Sequence, residues 1–203
     1  MKIGVLDIQG SVEEHFKALK KLSSQKVEPV KVKTVDDLKK VRGLIIPGGE
    51  STTIGKLLKR FGLKDEIIKL AKSGKLAIWG TCAGAILLAK KIVGDKQKDY
   101  VEQLGLMDIA VERNAYGRQI ESFETQLEFN LGPAANWYGS SVVSGIFIRA
   151  PKIVSVGKNV KILAKYKNKI VAVRQGKFLA TNFHPELTDE INIHQYFVKM
   201  CGD

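Results

Sequence analysis

LAIWGTCAGAILLAKK, residues 76–91, reads as an apolar strand that runs into a helix through a turn with glycine on both sides of one cysteine. A strand delivered straight into a helix is half of a parallel βαβ unit, so this stretch points to an α/β fold. The turn Gly80-Thr81-Cys82-Ala83-Gly84 is the cysteine version of the Gly-x-Ser-x-Gly nucleophile elbow. Glycines tolerate its sharp bend and let a substrate approach, and the start of the following helix, expected over 83–91, favours thiolate over thiol at Cys82. The plain alternative is a small buried hydrophobe, the commonest fate of a free cysteine.

The flanks repeat the pattern. KIGVLDI (2–8) reads as a buried strand, SVEEHFKALKKL (11–22) as an amphipathic helix, EPVKVK (28–33) as a strand and TVDDLKKV (34–41) as a short helix capped by Thr34. GLIIPGG (43–49) is a strand ending in a glycine loop, followed by the helical STTIGKLLKRF and LKDEIIKLAKS and the strand KLAIWG (75–80). From about residue 106 the texture turns β-rich, with LMDIAVER, ETQLEF, VVSGIFIRA, KIVSVG, VKILAKY, KIVAVRQG and KFLATNF. A last helix is expected over 189–200. The expected architecture is a three-layer open sheet, mainly parallel with added antiparallel strands. No repeat, low-complexity tract or linker divides the 203 residues, so a single domain over 1–203 is expected.

Composition narrows the class. With 44% hydrophobic and 27% charged residues the chain suits a globular fold with a real core. No charged leader, no long apolar leader segment and no run of membrane-spanning length is present, and the expectation is a cytoplasmic protein without a membrane partner. Cys82 and Cys201 are too few for a disulfide framework, and neither cysteine nor histidine spacing suits zinc, so no metal and no cofactor is expected. The net charge of +12 invites a nucleic-acid reading, but Lys20-Lys21, Lys39-Lys40 and Lys90-Lys91 are short clusters without interleaved aromatics. Solvated faces, or a docking face for an acidic protein, explain them as well; no nucleic-acid partner is expected.

Two further loops should meet the elbow, because ligands of open parallel sheets bind beyond the carboxyl ends of the strands. Pro47-Gly48-Gly49-Glu50-Ser51-Thr52 resembles a phosphate loop, but five residues separate Gly49 from Gly55-Lys56 and Leu57 follows, so the phosphate-loop pattern fails. A strand-to-helix turn with Ser51 or Thr52 as cap is the plain reading; the functional one adds a Gly49 N–H aimed at a developing oxyanion, partnered by that of Ala83. In Asn182-Phe183-His184-Pro185-Glu186-Leu187-Thr188, proline biases His184 toward extended geometry, so the imidazole and the Glu186 carboxylate can point the same way. That is an acid orienting a base, able to take the thiol proton of Cys82. A turn at a helix entrance, capped by Thr188, is the alternative. His15 and His194 fall inside helices, solvent-facing or packed.

These residues carry a resemblance. Gly80-Thr81-Cys82-Ala83-Gly84, Gly48-Gly49-Glu50-Ser51 and His184-Pro185-Glu186 together resemble a class I (triad) glutamine amidotransferase domain, which has a flavodoxin-like sheet. LDIQGSVEEH (6–15), PGGESTTIGKLL (47–58), VERNAYGRQIESFE (111–124), FIRAP (147–151) and FHPELT (183–188) are similar in order to the glutaminase subunits of pyridoxal 5'-phosphate synthase. Asp7, where an apolar residue is expected, and the unassigned loop from Asn130 to Ser141 depart from the pattern.

The resemblance implies hydrolysis of L-glutamine to glutamate and ammonia through a thioester on Cys82. It implies delivery of the ammonia to a separate synthase subunit that makes the vitamin B6 coenzyme, and a chain nearly idle until that subunit docks. It also implies a glutamine site formed by Gly48, Gly49, Glu50, Arg113, Ile148 and Arg149. Bottom-up, the two arginines suit an α-carboxylate, though surface arginines at strand ends are the plain reading. Residues 8–10 would lie at the same face, open to the synthase subunit. Other readings stay open: the glutaminase of another pathway, a cysteine hydrolase of the PfpI type, or a non-catalytic binding protein. The late His184-x-Glu186 pair argues against the PfpI type, and the complete triad against the last.

Overall fold

Side chains alternate across a strand, and that alternation sorts the apolar residues of this chain into two layers. The computed structural model describes residues 1–23, 26–94, 101–113, 122–130 and 142–202. Its strands are β1 (Lys2–Leu6), β2 (Glu28–Val32), β3 (Gly43–Ile46), β4 (Ala77–Thr81), β5 (Ala89–Val93), β6 (Met107–Glu112), β7 (Phe123–Glu128), β8 (Val142–Phe147), β9 (Lys152–Val156), β10 (Lys161–Tyr166), β11 (Lys169–Gln175) and β12 (Phe178–Thr181). Its helices are α1 (Val12–Lys20), α2 (Val35–Leu38), α3 (Ser51–Arg60), α4 (Leu63–Lys72), α5 (Ala83–Leu88) and α6 (Asn192–Gly202).

Ten strands form one sheet in the order β2-β1-β3-β4-β12-β11-β9-β6-β5, with β10 paired to β11. The run β2-β1-β3-β4-β12 is parallel. β11, β9 and β6 extend it through antiparallel pairings, and β5 lies parallel to β6. β7 and β8 form a separate antiparallel pair. The architecture is therefore the expected three-layer α/β sheet with antiparallel additions. Leu44, Ile46 and Ile78 face a core shared with α3, α4 and α5, through residues such as Ile54, Ile67 and Leu87. Ile45, Ala77 and Trp79 face the other core, covered by α1 and α6 through Leu19, Ile193 and Phe197. Among the described residues no helix is long and apolar enough to cross a membrane.

Local chemistry explains where expectation and structure part. Thr34 caps α2 with a reciprocal capping box to Asp37, as its sequence implies. The helix expected over 83–91 ends at Leu88, and Ala89 turns extended to open β5. All six residues of α5 are buried, so no amphipathic stripe marks its end. The cap of α3 is Glu50, not Ser51 or Thr52: its carboxylate accepts from the N–H groups of Thr52 and Thr53, while Ser51 and Thr52 lie buried in the first turn. Thr188 caps no helix start; its hydroxyl donates to the Pro185 carbonyl at 2.9 Å, closing a 3-10 turn, and α6 begins only at Asn192. Asp7 pairs with Lys33 at 3.3 Å beyond the ends of β1 and β2. Residues 114–121 of the VERNAYGRQIESFE motif and 131–141 of the unassigned loop lie outside the described residues.

Candidate active site

The strand order brings together what the sequence separates. β1, β3, β4 and β12 run parallel, with β1, β3 and β4 side by side and β12 next to β4, so the segments after their carboxyl ends share one rim of the sheet. Gln9 and Ser11 follow β1, Gly48 to Glu50 follow β3, Cys82 follows β4, and His184 and Glu186 follow β12. The register Thr81↔Thr181 starts both chemistry-bearing turns at one level.

Cys82 takes φ 47 and ψ −101, a backbone conformation that a residue with a Cβ adopts only under constraint. The constraint is packing and hydrogen bonding. Cys82 N–H donates to the Thr181 carbonyl at 2.8 Å, and its own carbonyl accepts from Ala85 N–H at 3.1 Å. A Cβ on Gly80 would lie 2.5 Å from the Gly84 oxygen, and one on Gly84 would lie 2.2 Å from the Ile46 oxygen. Both elbow glycines are thus required by close backbone approach. Ala83 opens α5, and at that first helical position its N–H has no intrahelical acceptor.

His184 is fixed from two sides. Its backbone N–H donates to the Ile146 carbonyl of β8 at 2.8 Å, and its Nδ1 lies 2.8 Å from Glu186 Oε1. Ser11 adds a hydroxyl donor to Glu186 Oε1 at 2.6 Å. Burial opposes charge on the His184 ring, but the Cys82 side chain and the Glu186 carboxylate outweigh it and raise the pKa from 6.5 to about 10. Burial likewise opposes the Glu186 carboxylate. The imidazoles of His15 and His184 and the Ser11 hydroxyl overcome it and lower the pKa to about 2. The pair is therefore an imidazolium and a carboxylate, set beside the elbow sulfur.

The glycine loop touches this pair through Gly48. A Cβ there would lie 2.3 Å from His184 Cε1 and 3.3 Å from Cys82 Cβ. Gly49 instead lies against Gln9, whose Oε1 would be 2.4 Å from an added Cβ and accepts from Glu50 N–H at 2.9 Å. Ser11 N–H donates to the Gly48 carbonyl at 3.0 Å, so the segment after β1 clamps the loop after β3. Arg113 is no surface arginine: its side chain is 9% exposed, with Nη2 3.3 Å from Thr52 Oγ1 and 3.7 Å from Glu50 Oε1. Ile148, half-buried, and Arg149, exposed with φ 44, directly follow β8, whose Ile146 bridges to His184. Thus Gly48, Cys82, His184 and Glu186 meet, Gly49 follows Gly48 and lies against Gln9 rather than the triad, and Glu50 and Arg113 form an adjoining charged pair.

Gln9 was legible only as part of the segment 8–10 expected at this face, and neither it nor Ser11 was legible as a residue that holds the site together. Only the crevice rule for the carboxyl ends of adjoining strands marks that position. His15 and His194 prove packed, both fully buried.

A cysteine on a strained strand-to-helix elbow, facing a histidine that a carboxylate holds, on a sheet of this order, places the molecule in the class of glutamine amidotransferase domains. A solved structure described as a glutamine amidotransferase superposes with a TM-score of 0.87 at 46% identity, covering 99% of both chains. The chain belongs to the SNO glutamine amidotransferase family, whose model matches residues 5–203. It is 53% identical over 202 residues to the pyridoxal 5'-phosphate synthase subunit PdxT of Pseudothermotoga lettingae, covering 100% of this chain and 96% of that one. It is 52% identical over 200 residues to the subunit of the same name from Caldanaerobacter subterraneus, covering 98% and 99%.

Proposed function

We propose that this protein is the glutaminase subunit of a pyridoxal 5'-phosphate synthase, hydrolysing L-glutamine and handing ammonia to a synthase subunit. The observation that carries the chemistry is the strained Cys82 elbow beside the His184–Glu186 ion pair. The similarity to proteins named as PdxT subunits of that synthase carries the pathway and the partner.

Cys82 is the nucleophile. Its sulfur, the thiol proton having passed to His184, attacks the side-chain amide carbon of glutamine, and the tetrahedral oxyanion is held by the backbone N–H groups of Gly49 and Ala83. His184 gives its proton to the departing nitrogen, the C–N bond breaks, and ammonia leaves a γ-glutamyl thioester on Cys82. The same imidazole then takes a proton from water, whose oxygen attacks the thioester; the C–S bond breaks, glutamate leaves, and the Cys82 sulfur is freed beside the protonated ring. Glu186 holds the ring and its positive charge throughout. Glu50, Arg113, Ile148 and Arg149 line the approach, the carboxylate for the α-ammonium and an arginine for the α-carboxylate. Gly49 lies under the half-buried Gln9 of the segment after β1, whose Gly10 is exposed at a rim that a docking subunit can reach. This supports a site completed by docking. We also infer that residues 1–203 act as one domain in the cytoplasm, supported by the sheet that spans both halves of the chain and by two buried free cysteines.

Glutamate release from L-glutamine, measured for the chain alone and with a synthase subunit, tests this. Release that rises on adding the subunit and disappears with Cys82→Ala is the expected result. A silent wild type in a complex shown to form would sink the reading.

A further inference from the structure

The chain has 3 histidines, and the reaction above uses one. The other two, His15 of α1 and His194 of α6, are fully buried on the far side of β4, against Trp79, with ring centroids 5.3 and 4.9 Å from the indole. Two imidazoles without access to water are costly unless their nitrogens are paired. His15 Nδ1 lies 3.0 Å from His194 Nε2, and His15 Nε2 lies 3.2 Å from Thr81 Oγ1 and 3.5 Å from Glu186 Oε2.

Glu186 is the other half of the problem. Its Oε1 is held by His184 and Ser11, whereas Oε2 is buried and finds no hydrogen bond of normal length among the described residues. It faces His15 Nε2 instead. His194 Nδ1 likewise has no partner there. These facts select one arrangement of protons. If His15 carried its proton on Nδ1, it would donate to His194, turn a lone pair toward a buried carboxylate, and leave a buried N–H on His194 Nδ1 without an acceptor. If His194 donates from Nε2 to His15 Nδ1, the proton of His15 sits on Nε2, between Thr81 and Glu186, and only a lone pair on His194 remains unmatched. Buried donors without acceptors are the rarer and costlier defect, so the second arrangement holds.

We propose that His15 is a positioning residue: its Nε2–H, fixed there by the donation from His194, holds Glu186 Oε2 and so keeps Oε1 on His184. The proposal rests on the triad reading above. The groups facing His15 are Glu186, His184, His194 and, on its own helix, Glu14; Lys21 acts on His194. Burial is the largest influence on both rings and holds each pKa below its ordinary value, against the pull of Glu186. A neutral His15 therefore serves the carboxylate as a donor and not as a counter-ion. The 3.5 Å separation leaves room to tighten when substrate closes the site, as hydrogen bonds in empty active sites commonly do.

Two-bond proton–nitrogen NMR on histidine-labelled protein tests the proposal, since all signals come from this cluster. In the wild type, His15 and His194 should each be protonated on Nε2 alone at neutral pH. A proton on His15 Nδ1 overturns the proposal whatever the variants do. In His15→Leu the titration midpoint of His184 should fall by about one pH unit, and His15→Gln, which restores a donor, should recover most of it. Glutaminase turnover in the complex should fall about tenfold in His15→Leu with KM little changed. A folded His15→Leu with an unshifted His184 titration leaves His15 a packing residue and refutes the proposal. The tautomers are read without glutamine, so an error in the assigned activity and an error in this inference give different results.

Discussion

Gly48 and His184 are in contact so close that a single methyl group cannot be placed between them: a Cβ on Gly48 would lie 2.3 Å from the ring's Cε1. The neighbour is a ring held by Glu186, on a residue whose backbone N–H is tied to the Ile146 carbonyl, so it cannot simply swing aside. Gly48→Ala should therefore displace the imidazole from Cys82. A misplacement of about 1 Å costs on the order of 10²-fold in rate, and turnover should fall by about that much. The measurement is turnover in the complex together with the thermal midpoint. Wild-type turnover in a folded variant would mean that the ring has freedom this packing denies.

Glu50 has two separable duties. Its carboxylate caps α3 through Thr52 and Thr53, and burial is outweighed by these hydrogen bonds, which lower its pKa. Glu50→Ala should cost about 1 kcal/mol through the lost cap, or roughly 2–4 °C in thermal midpoint. Glu50→Gln keeps an acceptor for the cap but removes the charge offered to the α-ammonium of glutamine. Its thermal midpoint should stay near that of the wild type while KM rises about 10-fold or more. An unchanged KM in Glu50→Gln would confine Glu50 to capping.

Gln9 links the segment after β1 to the glycine loop through a 2.9 Å hydrogen bond from Glu50 N–H. One neutral hydrogen bond is worth about 1 kcal/mol, enough to shift the loop's ordering roughly fivefold. Gln9→Ala should lower turnover by about that factor, chiefly in the complex, with stability nearly unchanged because the rim is accessible to water. Equal effects on the free chain and the complex would show that docking does not act through this clamp.

The elbow, the glycine loop and the His184-x-Glu186 pair were legible because each rests on a local rule: glycine at a forced turn, proline setting an extended histidine, alternation along a strand. The sheet order was legible in class, since strands and helices alternate through the first half. What the sequence left hidden is non-local. Glu50 caps α3 because its carboxylate reaches two amides at once, although Ser and Thr are the more common caps. The β5 strand follows α5 without a breaker because Ala89 to Val93 pair with β6, some 18 residues later by Ala89↔Met107. His15 and His194 are separated by 179 positions, and no periodicity predicts that their rings meet behind Glu186.

The same buried histidines set an acid limit on stability. Burial keeps His15 and His194 below the ordinary value of 6.5, so the unfolded chain binds protons that the folded chain refuses. Where the unfolded state binds more protons, stability rises with pH, so it should fall as pH drops below about 6.5, by up to about 1.4 kcal/mol per unit for each histidine. Glu186, lowered to about 2, adds a further loss as pH falls from 4.5 toward that value. His184 acts in the opposite sense: raised to about 10, it contributes fully below 6.5 and loses that contribution as pH climbs through the interval. Stability should therefore peak near neutrality. His194→Phe, which keeps an aromatic ring against Trp79, removes one of the refused protons. Its absolute stability falls because His15 loses a donor, but the slope between pH 5 and 6.5 should flatten by about 1.4 kcal/mol per unit. Urea unfolding at several pH values reads that slope directly. Parallel acid limbs for variant and wild type would mean that His194 already binds its proton in the folded protein.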